Sequence, residues 1–344
     1  MNKLTKVGVS ALCGTLAAVS AAHAGSISVA GGAVATYTSL EGTETGNPLG
    51  LNSGLTFTGA GELDNGTAFT LTITQTDAVG LSAANLNMDL PTLGSIKINA
   101  KSGGTGLDII DDMMPTAWEE TNGTGLNTGL ATVAGVGTSI NVGYSVGSDM
   151  LPEGLALDLA WAPRATGGAS ADKGVGGDSA GIGSGWDAVV RYTGIPGLNA
   201  FGGMSTIAQA SGVLNDGYDG DRTQYAAGLT YAFGGVTVGY QKSRDNIQQV
   251  NPGSASYYDN EAYAVSFQVN DDLAISYGVH KSNKHFNDSA TTPAVENDGQ
   301  SFQLSYTMGG ASFQIAESSV DNGLYTSGTA QDRDGTTLRL SLAF

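Results

Sequence analysis

Large apolar residues recur at every second position along most of this chain, with small or polar residues between them. Residues 336–344 show the pattern plainly: Leu338, Leu340, Leu342 and Phe344 alternate with Thr337, Arg339, Ser341 and Ala343. In an extended strand that spacing sends the apolar set to one face and the polar set to the other. The same period runs through 55–63, 68–74, 139–146, 155–161, 186–192, 225–233, 236–240, 263–269, 273–279, 302–308 and 311–316. Fainter versions cover 27–37, 84–90, 94–100 and 198–207, and in the last of these Phe201 and Met204 cannot share a face. The pattern predicts sixteen strands, each near the roughly 10 residues with which a tilted strand crosses a bilayer.

The links between strands sharpen this reading. Asp64-Asn65-Gly66, Gly194-Ile195-Pro196-Gly197, Gly234-Gly235, Asn270-Asp271-Asp272 and Gly309-Gly310 are tight turns. Between them lie polar links at 39–51, 101–136, 164–184, 211–221, 245–257, 284–298 and 318–335, with a shorter one at 77–81. Short and long ends alternate, as in a membrane barrel with short inner turns and long outer loops. A soluble sandwich shares the strand period, but its Greek-key crossovers rarely keep that order. The fold expected is an all-β, transmembrane, antiparallel barrel of sixteen strands in one domain, 25–344. Tyr37, Tyr144, Tyr192, Tyr231, Phe233, Tyr277 and Phe344 are expected at the lipid–water boundaries. Thr56, Thr58, Asn141, Asp158, Gln303, Ser305 and Gln314 are expected to face a wet lumen.

Composition narrows the compartment. Lys3 and Lys6 precede the apolar run 7–19, and Ala22-His23-Ala24 has the small-x-small form of a signal-peptidase site. Residues 1–24 are therefore expected to be a cleaved signal, taking with them Cys13, the single cysteine. The remainder carries 12 Lys and Arg against 32 Asp and Glu, a net charge of −20. Such acidity argues against nucleic acid as a partner. No stretch approaches the about 20 consecutive apolar residues of a membrane helix.

Together these features resemble the sixteen-stranded general-diffusion porins of Gram-negative bacteria, nearest the shorter alphaproteobacterial type. The resemblance rests on Leu55-Thr56-Phe57 before Asp64-Asn65-Gly66, and on Leu93-Gly94-Ser95-Ile96-Lys97-Ile98 before the longest link. It also rests on 231–240 and on the C-terminal Phe344. It implies a passive channel for ions and small hydrophilic solutes: a homotrimer set among outer-membrane lipid and lipopolysaccharide, with the third outer loop folded into the lumen. A substrate-specific channel on the same wall, or a non-conducting surface barrel, are the alternatives.

The third long link, 101–136, is the longest. Leu107 to Met114, before Pro115, lacks β alternation; wound as a helix it would group Asp108, Asp111 and Asp112 on one side. Ile109, Ile110 and Met113 would then press the barrel wall, while Glu119 and Glu120 add charge. These five acidic residues are the expected constriction, with a solvated outer loop as the alternative. Basic groups to oppose them are scarce, because residues 25–90 hold no Lys or Arg. Lys97, Arg191, Arg339 and, nearer the outer end, Arg222 are the candidates; each could instead be a structural partner of Asp158, Asp187 or Glu62. The imbalance points to a cation-preferring pore.

Calcium could bind weakly at Asp216, Asp219 and Asp221, although the spacing is not that of an EF-hand. No cofactor is required and no enzyme is expected: only His280 and His285 follow the signal, and no Gly-x-Ser-x-Gly elbow occurs. The glycine-rich run 174–185 reads as a flexible loop rather than a phosphate loop. N-terminal sequencing of the exported protein should read Gly25-Ser26-Ile27 first, and a sequence beginning at Met1 would contradict the cleavage.

Overall fold

In the computed structural model, which describes residues 25–41, 46–76, 81–100, 103–165, 181–209, 217–251, 253–288 and 292–344, sixteen strands form one closed antiparallel barrel. The first eight are β1 (Ser26–Leu40), β2 (Leu49–Glu62), β3 (Ala68–Thr76), β4 (Leu81–Leu90), β5 (Gly94–Ala100), β6 (Asn141–Val146), β7 (Leu155–Ala162) and β8 (Ile182–Tyr192). Then come β9 (Leu198–Gln209), β10 (Arg222–Phe233), β11 (Val236–Asn246), β12 (Ala255–Gln268), β13 (Leu273–Phe286), β14 (Val295–Met308), β15 (Ala311–Asp321) and β16 (Arg333–Ala343). Each strand pairs with its sequence neighbours, and β16 returns to β1 with Gly32 opposite Ala343 and Leu40 opposite Gly335. Mutual bonds of 2.9 Å between the backbones of Gly31 and Phe344 finish the seam. Closure leaves no strand edge open, which hydrocarbon requires because it offers backbone groups no partner.

The strands stand where the alternation placed them, but several run further at one end. β11 continues past 240 to Asn246, β12 starts at Ala255, β13 reaches Phe286 and β14 starts at Val295. In these extensions charge replaces the apolar phase: Arg244 pairs with Asp259 at 2.5 Å and Lys281 with Asp298 at 2.7 Å. The inward positions there, Asp245, Asn260, Ser282 and Asn297, are polar although buried, so both faces are polar and pairing continues without the period-two signal. The links at 245–257 and 284–298 are shorter than expected for the same reason. β8 likewise takes up 182–185 of the glycine-rich run. The signal segment 1–24, residues 174–180 of that run, and Asp216 lie outside the described residues.

Phe57, Leu71, Val142, Leu159, Val190, Leu229, Val238, Val265 and Leu338 form an exposed apolar outer face. Tyr37, Tyr192, Tyr231, Phe233, Tyr277 and Phe344 are exposed on it too, as rings at a membrane boundary would be. Tyr144 is half-buried, its hydroxyl donating to Leu93 O at 2.6 Å. In β9 the conflict of phase resolves cleanly: Met204 is 37% exposed while Phe201 is 6% exposed, pointing inward.

Phe201 is buried because the segment after β5 turns into the barrel. A 3₁₀ turn, Gly106–Ile110, packs on β7 to β10. Leu107 and Ile110 are fully buried there against Val133, Val189, Phe201 and Ala226. Burying each such side chain contributes about 1.5–3 kcal/mol. The wall makes room with glycine: a Cβ at Gly203 would lie 2.8 Å from Val189 Cγ2 and 2.9 Å from Leu107 Cδ1. At Gly239 a Cβ would lie 2.5 Å from Pro115 Cδ. Gly203→Val should therefore expel the loop without opening the barrel. The expected result is faster proteolysis within 104–137 with an unchanged heat-modifiable gel shift; a loop as resistant as wild type would contradict the packing.

Candidate functional site

An irregular segment inside a barrel needs partners for its backbone, and here the wall supplies them. Asp187 of β8 accepts from both legs of the loop, from Leu107 N at 2.9 Å and Val136 N at 3.0 Å. Gln224 of β10 accepts from Gly135 N at 2.7 Å, and Ser276 of β13 from Ala117 N at 2.8 Å. Gln303 of β14 donates to Glu119 O at 2.8 Å, and Asn297 donates to Thr128 O at 2.7 Å. Near the seam Thr337 of β16 donates to Thr124 O at 2.8 Å. The loop is thus a collar along the inner wall from β8 round to β16. This corrects the expectation that Asn141 and Gln303 meet lumen water: both are buried, and they bond loop backbone instead. On the opposite wall Thr56 stays half-buried and bonds Thr74, Oγ1 to Oγ1, at 3.2 Å.

The helix expected over Leu107–Met114 is shorter, ending at Ile110 with Asp111 as its C-cap. A further turn would stack three carboxylates on one face, and like charges at that spacing repel. Ile110 packs inward as expected, Ile109 and Met113 only in part, and Leu107 supplies the other anchor. The acidic residues nevertheless come together. Asp108 Oδ2 accepts from Gly104 N at 2.5 Å; burial raises its pKa, against the lowering effect of that bond. Burial first, then the charges of Asp108 and Asp112, push Asp111 up to about 8. Asp112 is raised by burial and by Glu120. Glu120 is raised by its bond with Glu119 and by burial. Glu119 is fixed through its backbone to Gln303.

All four basic candidates sit on the inner wall, and each is engaged. Lys97 Nζ donates to Gly103 O at 3.0 Å, at the root of the loop. Arg191 pairs with Asp158 at 2.8 Å, and Arg222 with Asp245 at 2.5 Å. The Arg339 guanidinium stands 5.3 Å over the Trp118 ring. Of the three acidic partners considered for them, Asp158 is the one realised. Asp108, Asp111, Asp112, Asp158 and Arg191 line a cavity of about 650 Å³ in the lumen. Asp158 and Asp187 matter more than the alternation revealed. The available trace was in β8 to β10, where Val189, Phe201 and Ala226 put apolar groups in the inward phase.

Of the calcium candidates, Asp221 accepts from Gln209 N at 3.2 Å, and Asp219 lies in the segment that bonds Gln248 through its backbone. Among the described residues no group of three His, Cys, Asp or Glu side chains is placed to hold a metal ion.

No protein-family model matches the sequence, and no curated protein does. Solved structures match closely in shape. The OmpF of Salmonella typhi, in complex with daunomycin, superposes with a TM-score of 0.68 at 13% identity, over 93% of this chain and 98% of that one. Vibrio cholerae OmpT, an outer-membrane protein, gives 0.65 at 14%, over 95% and 100%. A porin refined at 1.8 Å gives 0.63 at 13%, over 92% and 100%. At such identities the likeness is one of fold, and nothing in it singles out the alphaproteobacterial type. Barrels of this fold are characteristic of outer membranes.

The acidic cluster gives this part of the lumen a charge that depends on pH. With its pKa near 8, Asp111 is mostly protonated at neutral pH, so raising pH adds negative charge to the passage. Cation over anion permeability should therefore climb between about pH 7 and 9, and Asp111→Asn should flatten that limb. A wild-type ratio constant over this range would contradict it.

Proposed function

We propose that this chain, whose fold is that of a general porin, is a passive outer-membrane channel for ions and small hydrophilic solutes that prefers cations. The observation that carries the reading is the lumen cavity lined by four aspartates and one guanidinium already paired to one of them. Acidic side chains lining a narrow passage with low-dielectric walls focus their field and raise the local cation concentration. The early strands add nothing to oppose them, since 25–90 holds no basic residue. Sixteen strands leave room for an aqueous channel beside the collar.

The assembly proposed is a homotrimer in outer-membrane lipid and lipopolysaccharide. It is supported by the shared fold with Vibrio cholerae OmpT, one of whose structures is a trimer form with a TM-score of 0.64 at 12% identity.

Purified protein in a planar bilayer under a KCl gradient should give stepwise conductance and a cation-selective reversal potential. Replacing Asp108, Asp111 and Asp112 by Asn together should lower the K⁺/Cl⁻ permeability ratio by about tenfold, the low end of what focused charge provides. Anion selectivity, or absence of conductance steps, would sink the reading.

A further inference from the structure

The last outer loop does not stand up from the rim. It leaves β15 at Asp321 and enters β16 at Arg333, yet Tyr325 within it touches β12 and β13. Its ring meets that of Tyr258 with centroids 5.1 Å apart, and its hydroxyl lies 2.6 Å from Ser282 Oγ. β14 and β13 separate β15 from β12, so the loop has crossed roughly 14 Å of wall, at about 4.8 Å per strand. Ser282 is fully buried on the inward phase, so the crossing runs inside the rim. The loop is held along its way. Asn322 Nδ2 donates to Glu296 O, Leu324 N to Thr128 O and Arg333 Nη1 to Leu126 O, each at 2.9 Å. Two of these three acceptors belong to the returning leg of the collar.

Tyr325 is where these contacts converge. Ala131 N donates to its hydroxyl at 2.8 Å. Ser282 gives its own proton to Asn260 Oδ1 at 2.6 Å, so Tyr325 must be the donor to Ser282. One hydroxyl therefore joins the collar, the last loop and the wall, with both its donor and its acceptor side in use. The backbone shows a segment held in place rather than at rest. Asn322, Leu324 and Tyr325 have φ of 52°, 56° and 56°. That left-handed region is costly for Leu and Tyr, which lack the local hydrogen bond of Asn, and it persists only where the surroundings fix it. The collar leaves room for the loop, since a Cβ at Gly129 would lie 2.5 Å from Leu324 Cδ2. We propose that 322–332 is a lid over part of the outer mouth, a second restriction above the collar, and that Tyr325 is the positioning residue that keeps it folded in. Resting on the reading of the barrel as a channel, this assigns selection by solute size to the outer mouth and leaves selection by charge to the collar.

The test has two readouts. In a planar bilayer, poly(ethylene glycol)s of graded size added to one side at a time report the size cut-off of each mouth. Wild type should exclude smaller polymers from the outer side than from the inner. Tyr325→Ala should lose that difference, its outer cut-off rising to the inner one while the K⁺/Cl⁻ permeability ratio is kept. Equal cut-offs in wild type, an unchanged outer cut-off in Tyr325→Ala, or a ratio that falls with it would overturn the proposal. The second readout needs no conduction and covers the case in which the alanine variant fails to fold. Tyr325→Phe keeps the ring and a chymotrypsin site but loses the hydroxyl, so its folded barrels should be cut after residue 325 faster than wild type. Equal cleavage rates would overturn the lid. A wild-type bilayer without conductance steps would refute the channel reading instead, and the cleavage rates would then decide the position of the loop by themselves.

Discussion

The capture of loop backbone by side chains of the inner wall is the interaction on which the rest of this structure depends. A segment with almost no regular hydrogen bonding of its own can lie inside a barrel only where every buried N–H and C=O finds a partner. The wall answers with carboxylate, amide and hydroxyl groups carried on the inward phase of β8, β10, β13, β14 and β16. Asp187 is the keystone, because one of its oxygens accepts from Leu107 and from Val136 and so ties the outgoing leg to the returning one. Removing that acceptor would leave two buried donors unmet, at about 1–3 kcal/mol each.

Once the collar is held, its electrostatics follow. Leu107 and Ile110 are sunk into the wall, so the neighbouring Asp108, Asp111 and Asp112 have the passage to face. Charges in such a place keep more of their influence than surface charges do, because protein on either side screens them less than water. The basic groups are few, and each is already engaged. Arg191 and Arg222 hold aspartates, Lys97 holds loop carbonyls and Arg339 covers a ring. The result is a lumen of predominantly one sign rather than a field between two banks of opposite charge.

What could be read from the chain and what could not divides along the range of the interactions. Lipid and water act on each strand separately, so Leu338 to Phe344 or Val236 to Tyr240 announce their faces locally. The closing pair, β16 with β1, needs only the rule that no edge is left open. The signal failed where both faces carry polar side chains, such as Arg244 and Asp259 outward and Asp245 and Asn260 inward, and so the outer extensions of β11 to β14 went unseen. The route of the collar was hidden for a different reason: Thr124 meets Ser318 and Glu119 meets Gln303, contacts that no local period records. Its one visible trace was the broken phase of β9, where Phe201 turns inward to receive the loop. The acidic group was found because Asp108, Asp111 and Asp112 are close in sequence; Asp158, carried on another strand, reads as lumen-facing and as a partner for a basic group, but no local spacing joins it to that cluster.

The most direct measurement of the central claim, that the loop is bound to the inner wall, is a disulfide between them. Thr124 and Ser318 bring their hydroxyl oxygens to 2.7 Å, and the chain from Gly25 onward has no cysteine of its own. In Thr124→Cys/Ser318→Cys protein folded in membranes, the structure predicts spontaneous cross-linking. It would be seen as a reductant-sensitive mobility shift of the unfolded band, with conductance unchanged from wild type. Failure to cross-link under oxidising conditions, with both thiols free in a correctly folded barrel, would show that the loop lies elsewhere and would contradict the account.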